Sequence, residues 1–226
     1  MAALPEPGTF RRINPSRDAT QSFGEELANS ISHGVGLAAA LVSTPFLIAY
    51  AVRRGDVLVV VGVSVFAAAV VVLYLASTLY HALPHGKAKH VLRIIDHGAI
   101  FLLIAGTYTP FILGALRGPW GWTLGVLVWG LALAGVLFKT VRGVRHPALS
   151  LALYLGMGWL MVIAVRPLWL RLPLPGLAWL LAGGLAYTAG VAFFTAKRLR
   201  YAHFVWHLFV LAGTACHFIA IRYYAG

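Results

Sequence analysis

The sequence predicts an all-α integral membrane protein, a seven-transmembrane-helix bundle with its N-terminus in the cytoplasm and its C-terminus outside. Three observations carry that expectation. Hydrophobic residues fill 60% of the 226 positions and charged residues only 11%, an apolar excess that a soluble domain could not hide. The apolar residues gather into runs of about 20, the length a helix needs to cross ~30 Å of hydrocarbon. The 18 Lys and Arg residues fall in short clusters between those runs. The formal charge of +12 therefore fits membrane loops, and no nucleic-acid partner is expected.

A polar segment, residues 1–29, precedes the first run. It lacks the short apolar core of a cleavable signal, so it reads as a cytoplasmic tail ahead of a single membrane domain, 30–226. The spans are expected at about 30 to 52, 57 to 81, 94 to 116, 120 to 138, 148 to 166, 174 to 194 and 203 to 222. Continuous apolar runs do not alternate as barrel strands would, and backbone groups in lipid must be satisfied within the segment, so each run is helical. The connections carry breakers: Arg53-Arg54-Gly55-Asp56, Pro84 to Lys89, Arg117-Gly118-Pro119, Arg142 to Pro147, Pro167 to Pro175, and Lys197 to Arg200. Pro45 and Pro110, each preceded by Thr, are expected to kink spans one and three while the hydroxyl helps satisfy freed backbone groups. Trp120, Trp122 and Trp169 fall near outer boundaries as interfacial anchors. The single cysteine, Cys216, excludes an intramolecular disulfide and a CxxC motif.

Orientation follows from charge. Arg11, Arg12 and Arg17, then Lys87, Lys89 and Arg93, then Lys139, Arg142 and Arg145, then Lys197, Arg198 and Arg200 occupy alternate connections. They are twelve of the 18 cations, and the positive-inside rule puts that side in the cytoplasm.

Against this background a few polar residues stand out. Asp96 is the only carboxylate after Asp56. It opens the third run, where it either caps the helix and meets its dipole or does chemistry, since an ionisable group at membrane depth is costly. His203 and His207 are four apart at the start of the last run, which places both imidazoles on one helical face, within reach of one metal ion. Two interfacial histidines facing water are the plainer alternative. Ser77 and His81 share that spacing at the end of the second run. In a seven-span topology the end of span two and the starts of spans three and seven meet on one side, so His81, Asp96, His203 and His207 lie at similar depth. Three imidazoles and one open position are the usual ligation of a hydrolytic zinc. On that reading His81, His203 and His207 are the metal ligands, Asp96 takes a proton from the attacking water, and Ser77 orients a ligand or donates to developing negative charge. Glu26, Asn29 and His33 share a face entering span one, either supporting this site or serving as cap and loop contacts. His217 lies deeper in span seven, as a histidine bonded to a neighbouring helix. His85, His90 and His146 read as solvated loop residues.

The motifs Glu25-Glu26-Leu27-Ala28-Asn29-Ser30-Ile31-Ser32-His33-Gly34, Ser77-Thr78-Leu79-Tyr80-His81, Asp96-His97-Gly98 leading to Gly106-Thr107-Tyr108-Thr109-Pro110, and His203-Phe204-Val205-Trp206-His207 occur in order. With them the chain resembles the hemolysin III branch of the progestin and adipoQ receptor family. The resemblance implies seven helices with a cytoplasmic N-terminus and a Zn2+ ion on the histidines matching His81, His203 and His207, with Ser77 and Asp96 beside it. It also implies a site similar to that of alkaline ceramidases. The expected partner is a membrane lipid and the expected location the cytoplasmic (inner) membrane, as a multi-pass protein. Three functions remain open: a zinc-dependent hydrolase of a lipid amide or ester, a non-enzymatic membrane sensor or homeostasis factor with structural zinc, and a cytolysin. The uniformly apolar spans offer no charged stripe to line a pore.

Overall fold

A computed structural model describes residues 21–196 and 198–226. The rest of the polar tail and Lys197, which carry part of the charge asymmetry, lie outside the described residues. Among the described residues all regular structure is helical, and seven helical segments are long and apolar enough to cross a membrane. Six are single helices: α1 (Phe23–Arg53), α2 (Val57–Ala82), α3 (Lys87–Leu113), α4 (Pro119–Arg142), α7 (Leu174–Thr195) and α8 (Ala202–Tyr224). The fifth span, Pro147–Arg171, is composite: α5 (Pro147–Gly158), a 3₁₀ turn (Leu160–Ala164) and α6 (Val165–Arg171).

Two helices start well ahead of their apolar runs, for local reasons. α1 begins at Phe23 because Ser22 and Glu25 form a capping box. The Ser22 Oγ accepts from Glu25 N at 3.3 Å, and Glu25 Oε2 accepts from Ser22 N at 2.9 Å, which satisfies two otherwise orphan donors. α3 begins at Lys87 rather than near 94. Its first turn is held by Lys89, whose Nζ donates to the Tyr80 and Leu83 carbonyls at 3.0 and 3.1 Å. A cation at the end of α2 satisfies carbonyls that lack a helical partner. Asp96 therefore sits about two and a half turns into α3, beyond reach of its N-terminal dipole. The capping alternative for Asp96 falls away.

The fifth span breaks where Gly156 and Gly158 weaken the helix. The Tyr108 hydroxyl of α3 fills the break: its oxygen lies 2.8 Å from the carbonyls of Met157 and Gly158 and accepts from Met161 N at 2.9 Å. In lipid such groups cannot turn to water. Pro167, expected in a loop, occupies the first turn of α6, where a missing N–H costs no intrahelical bond.

α2 and α3 form the centre of the bundle, with α1 against α2, α4 against α3, and α8 joining α1 to α7. α2 and α3 approach closely at Gly62, where an added Cβ would lie 2.8 Å from the Pro110 Cα. At Pro110 itself the Thr109 hydroxyl donates to the Ala105 carbonyl at 2.8 Å; the carbonyl a proline at 110 frees is that of Gly106, so the expected compensation is displaced by one residue. The fifth span packs on α3 and α4 and only sparsely on α7. Trp120, Trp122 and Trp169 are exposed at the end where α4 begins and α6 finishes. The opposite end, where α1, α3, α5 and α8 begin and α2, α4 and α7 finish, holds the candidate site.

Candidate metal centre

Three histidines meet at that end. One ring nitrogen from each of His81, His203 and His207 lies within 4.8 Å of the other two. The ring centroids are 5.1 Å apart for His81–His203, 5.1 Å for His81–His207 and 4.7 Å for His203–His207. α8 supplies two of them one turn apart. Its start is tied to α1, since Tyr201, the residue before α8 with φ 57°, donates its N–H to Glu25 Oε1 at 2.9 Å.

For two of the rings, His81 and His207, contacts from α1 set which nitrogen is available. His81 Nδ1 lies 2.7 Å from Glu26 Oε2, so it carries the hydrogen and leaves Nε2 as the lone pair. Nε2 is buried without a hydrogen-bond partner. His207 Nδ1 lies 3.2 Å from the Asn29 carbonyl and 3.0 Å from Ser32 Oγ, while the Ser32 hydroxyl donates to the same carbonyl at 2.8 Å. Here too Nδ1–H donates and Nε2 is free. A metal-binding histidine ordinarily has its other ring N–H held by a carboxylate or carbonyl, and both arrangements occur here. The donor set thus fits a metal ion.

The residues singled out around the histidines divide cleanly. Glu26, Asn29 and His33 of α1 do converge on the cluster. Glu26 also takes Lys89 Nζ on its other oxygen at 3.1 Å. The His33 ring stacks on His207 with centroids 3.6 Å apart and planes 6° from parallel, and neither of its nitrogens has a partner. Asp96 and Ser77 are buried and line one cavity with His203 and His207. The Ser77 hydroxyl neighbours the Asp96 carboxyl without a close hydrogen bond of its own. The Asp96 carboxylate stands outside the triangle of ligand nitrogens. His217 is apart from the centre: its Nε2 donates to the Leu180 carbonyl of α7 at 3.3 Å, deep in the bundle. His85, His90 and His146 are exposed.

That cavity, of about 120 Å³, runs from the histidines towards His217 between apolar walls such as Leu103, Ile104, Leu155 and Val191. One flank is the sparse seam between α5 and α7, bridged by Trp159 Nε1 donating to Thr188 Oγ1 at 3.1 Å.

The family model described as "Haemolysin-III related" matches residues 21–218, nearly the whole described chain. The chain belongs to the haemolysin III-related family. It is similar to the Hemolysin-3 homolog of Bacillus subtilis, 46% identical over 200 residues that cover 88% of this chain and 94% of that one. Hemolysin-3 of Bacillus cereus is 43% identical over 205 residues, 91% of this chain and 94% of that one. A more distant similarity, 29% over 158 residues, links this haemolysin III-related protein to the human Monocyte to macrophage differentiation factor, covering 67% and 65% of the two chains. It is thus a multi-pass membrane protein of this family with three histidines placed to hold a metal ion.

Three parts of the surroundings gave no signal in the sequence. Ser32 sat unremarked inside a motif, Lys89 lay in a stretch read as loop, and Lys139 was counted only as a loop charge. Lys139 is in fact buried at the end of α4, its Nζ 2.6 Å from Ser150 Oγ of α5. Only an i, i+3 or i+4 relation to a known site residue could have found the first, as Ser32 stands three residues from Asn29.

Proposed function

We propose that this haemolysin III-related protein is a zinc-dependent membrane hydrolase that cleaves an amide or ester of a membrane lipid reached from within the bilayer. Its N-terminus and its metal centre lie on the cytoplasmic side of the cell membrane. One observation carries the reading: His81, His203 and His207 each bring a ring nitrogen within 4.8 Å of the other two, and His203 and His207 share a largely apolar cavity with Asp96 and Ser77.

The Nε2 atoms of His81 and His207, with His203, would hold the zinc, while Glu26, Asn29 and Ser32 fix the tautomers and ring orientations. A bound zinc supplies a Lewis acid that polarises the acyl carbonyl and makes water nucleophilic at neutral pH. The apolar wall takes the acyl chain and excludes bulk water. Asp96, off the ligand triangle but on the cavity wall, accepts the proton of the attacking water at its carboxylate and returns it to the departing amine or alcohol. Ser77 Oγ–H is free to donate to the negative charge that develops on the carbonyl oxygen. The seam between α5 and α7 offers a lipid a lateral way in.

A second reading, a sensor or homeostasis factor in which zinc only braces the bundle, is favoured by one feature. The ligands join α2 to α8, and both are clamped by α1, so a metal there would tie three spans together. Asp96→Asn separates the two readings. Asn keeps the size and most hydrogen bonding but cannot accept a proton as a base, so zinc content and melting temperature should hold while hydrolysis falls by about 10²-fold or more. The measurement is zinc content, thermal stability and release of fatty acid from a lipid-amide and lipid-ester panel on one preparation of each protein. Undiminished hydrolysis by the zinc-loaded variant rules out the base role, and no hydrolysis by either protein favours the sensor.

A further inference from the structure

A second cavity, of about 480 Å³, lies at the site end of the bundle, among the α2–α3, α4–α5 and α7–α8 connections. It shares Asp96, His97, Tyr154, Phe194 and His203 with the apolar cavity, so the metal centre, through His203, borders both an apolar space and a more polar one. Its wall includes Lys139, which the proposed chemistry does not use.

Lys139 is 2% exposed. Its Nζ donates to Ser150 Oγ, and among the described residues no carboxylate is within ion-pair distance of it. An ammonium has three N–H donors, and one hydroxyl satisfies one of them. The carboxylates on the same cavity wall are otherwise engaged or placed: Glu25 with the Ser22 cap and Tyr201 N, Glu26 with His81 and Lys89, Asp96 beside Ser77. A lysine in the last turn of a membrane helix ordinarily runs its flexible stem out to the aqueous interface. This one turns inward instead, and bracing α4 to α5 through one serine would not need a charge. A buried cation without a counter-ion, on the wall of a polar cavity that adjoins a hydrolytic centre, suits an anion that arrives with the ligand.

We infer that Lys139 forms a subsite for an anionic head group of the lipid substrate. The substrate is then an acyl amide or ester whose polar part ends in a carboxylate or phosphate. Its chain occupies the apolar cavity, its scissile carbonyl the histidine centre, and its anion the Lys139 side. This rests on the hydrolase reading for the ligand's being a substrate, and the binding test is independent of turnover.

The experiment measures affinity of the full-length protein, reconstituted in nanodiscs of zwitterionic lipid, for three probes with the same chain: N-lauroylglycine, dodecyl phosphate and the neutral N-lauroylethanolamide. Wild type should bind at least one anionic probe about tenfold or more tightly than the neutral one, and whichever anion wins identifies the head group as carboxylate or phosphate. Lys139→Gln should abolish that preference and Lys139→Arg should restore most of it, with zinc content unchanged in both. Equal affinity of wild type for all three probes overturns the subsite. So does a Lys139→Gln variant that weakens all three equally with a lowered melting temperature, because that is the behaviour of a brace between α4 and α5. A preference that depends on Lys139 without hydrolysis of N-lauroylglycine or any panel lipid upholds the subsite and removes the hydrolase reading.

Discussion

Glu26 is the residue whose replacement most directly tests whether α1 was built to serve a metal. Its Oε2 lies 2.7 Å from His81 Nδ1 and its Oε1 3.1 Å from Lys89 Nζ, with the glutamate side chain 17% exposed and the histidine 1%. Glu26→Gln keeps the volume and an acceptor for Nδ1–H but removes the charge from a short, poorly solvated hydrogen bond, which are the conditions under which charge assistance counts. Loss of such an outer partner costs about 10- to 100-fold in metal affinity, equivalent to about 1.4–2.8 kcal/mol. The assay is competition for zinc against a chromophoric chelator on detergent-purified protein. Lys89→Met serves as the control: it breaks the other half of the Glu26 contact and frees the α2 carbonyls, so it should lower thermal stability while changing zinc affinity by less than about threefold. Zinc affinity of Glu26→Gln within twofold of wild type would refute the argument, as would an equal loss in Lys89→Met.

Tyr108→Phe removes the hydroxyl that serves Met157 O, Gly158 O and Met161 N, and leaving such buried groups unpaired should cost about 1–3 kcal/mol, read as a lowered melting temperature in detergent; an unchanged transition would show that the break in span five is satisfied some other way. Reporter fusions at the two termini should place the N-terminus in the cytoplasm and the C-terminus outside, and a cytoplasmic C-terminal fusion would overturn the orientation drawn from charge. At the opposite end, the Arg117 guanidinium 2.7 Å from Asp56 and the amides of Val59 and Leu58 hold the Asp56 carboxyl below its usual range. A lowered folded-state pKa contributes stability above the unfolded value that is lost as pH falls through the folded one. Arg117→Gln should therefore be less stable than wild type at neutral pH, with the difference narrowing as pH falls below ~4 and shrinking in high salt; a difference that does not change with pH would remove the ion pair from the account.

The architecture was legible because lipid leaves the backbone so few choices: each apolar run of sufficient length had to be a helix, and six of the seven are single helices close to where the runs lie. What stayed hidden were helix ends set by polar contacts rather than by hydropathy. The Ser22–Glu25 box and the inward Lys89 extend α1 and α3 into sequence that looks like tail and loop, and the first-turn position expected for Asp96 was lost for that reason. The histidine triangle could be anticipated since topology alone brings the end of α2 and the start of α8 to one depth. The facing of α1 could not, because sharing a helical face does not say which neighbour that face meets. Ser32 and the tautomers it fixes needed the packing itself.

The candidate metal centre borders two unlike cavities through His203, and α1 clamps it from behind. A metal meant only to brace helices is best closed by four protein ligands, and Asp96 is a carboxylate on the same cavity wall as two of the histidines. Instead the carboxylate is held on the cavity wall next to Ser77, outside the ligand group, while Glu26, Asn29 and Ser32 all act on the far side of the rings, through Nδ1. Support is concentrated behind the ligands and the cavity side is left to Asp96, Ser77 and His97. On the hydrolase reading, that asymmetry would suit an open coordination position, with ligand geometry fixed from one side and space and a proton acceptor on the other. Lys139, buried on the wall of the second cavity with Ser150 as its partner, extends the same reading, since the proposed head group would bring the anion it lacks.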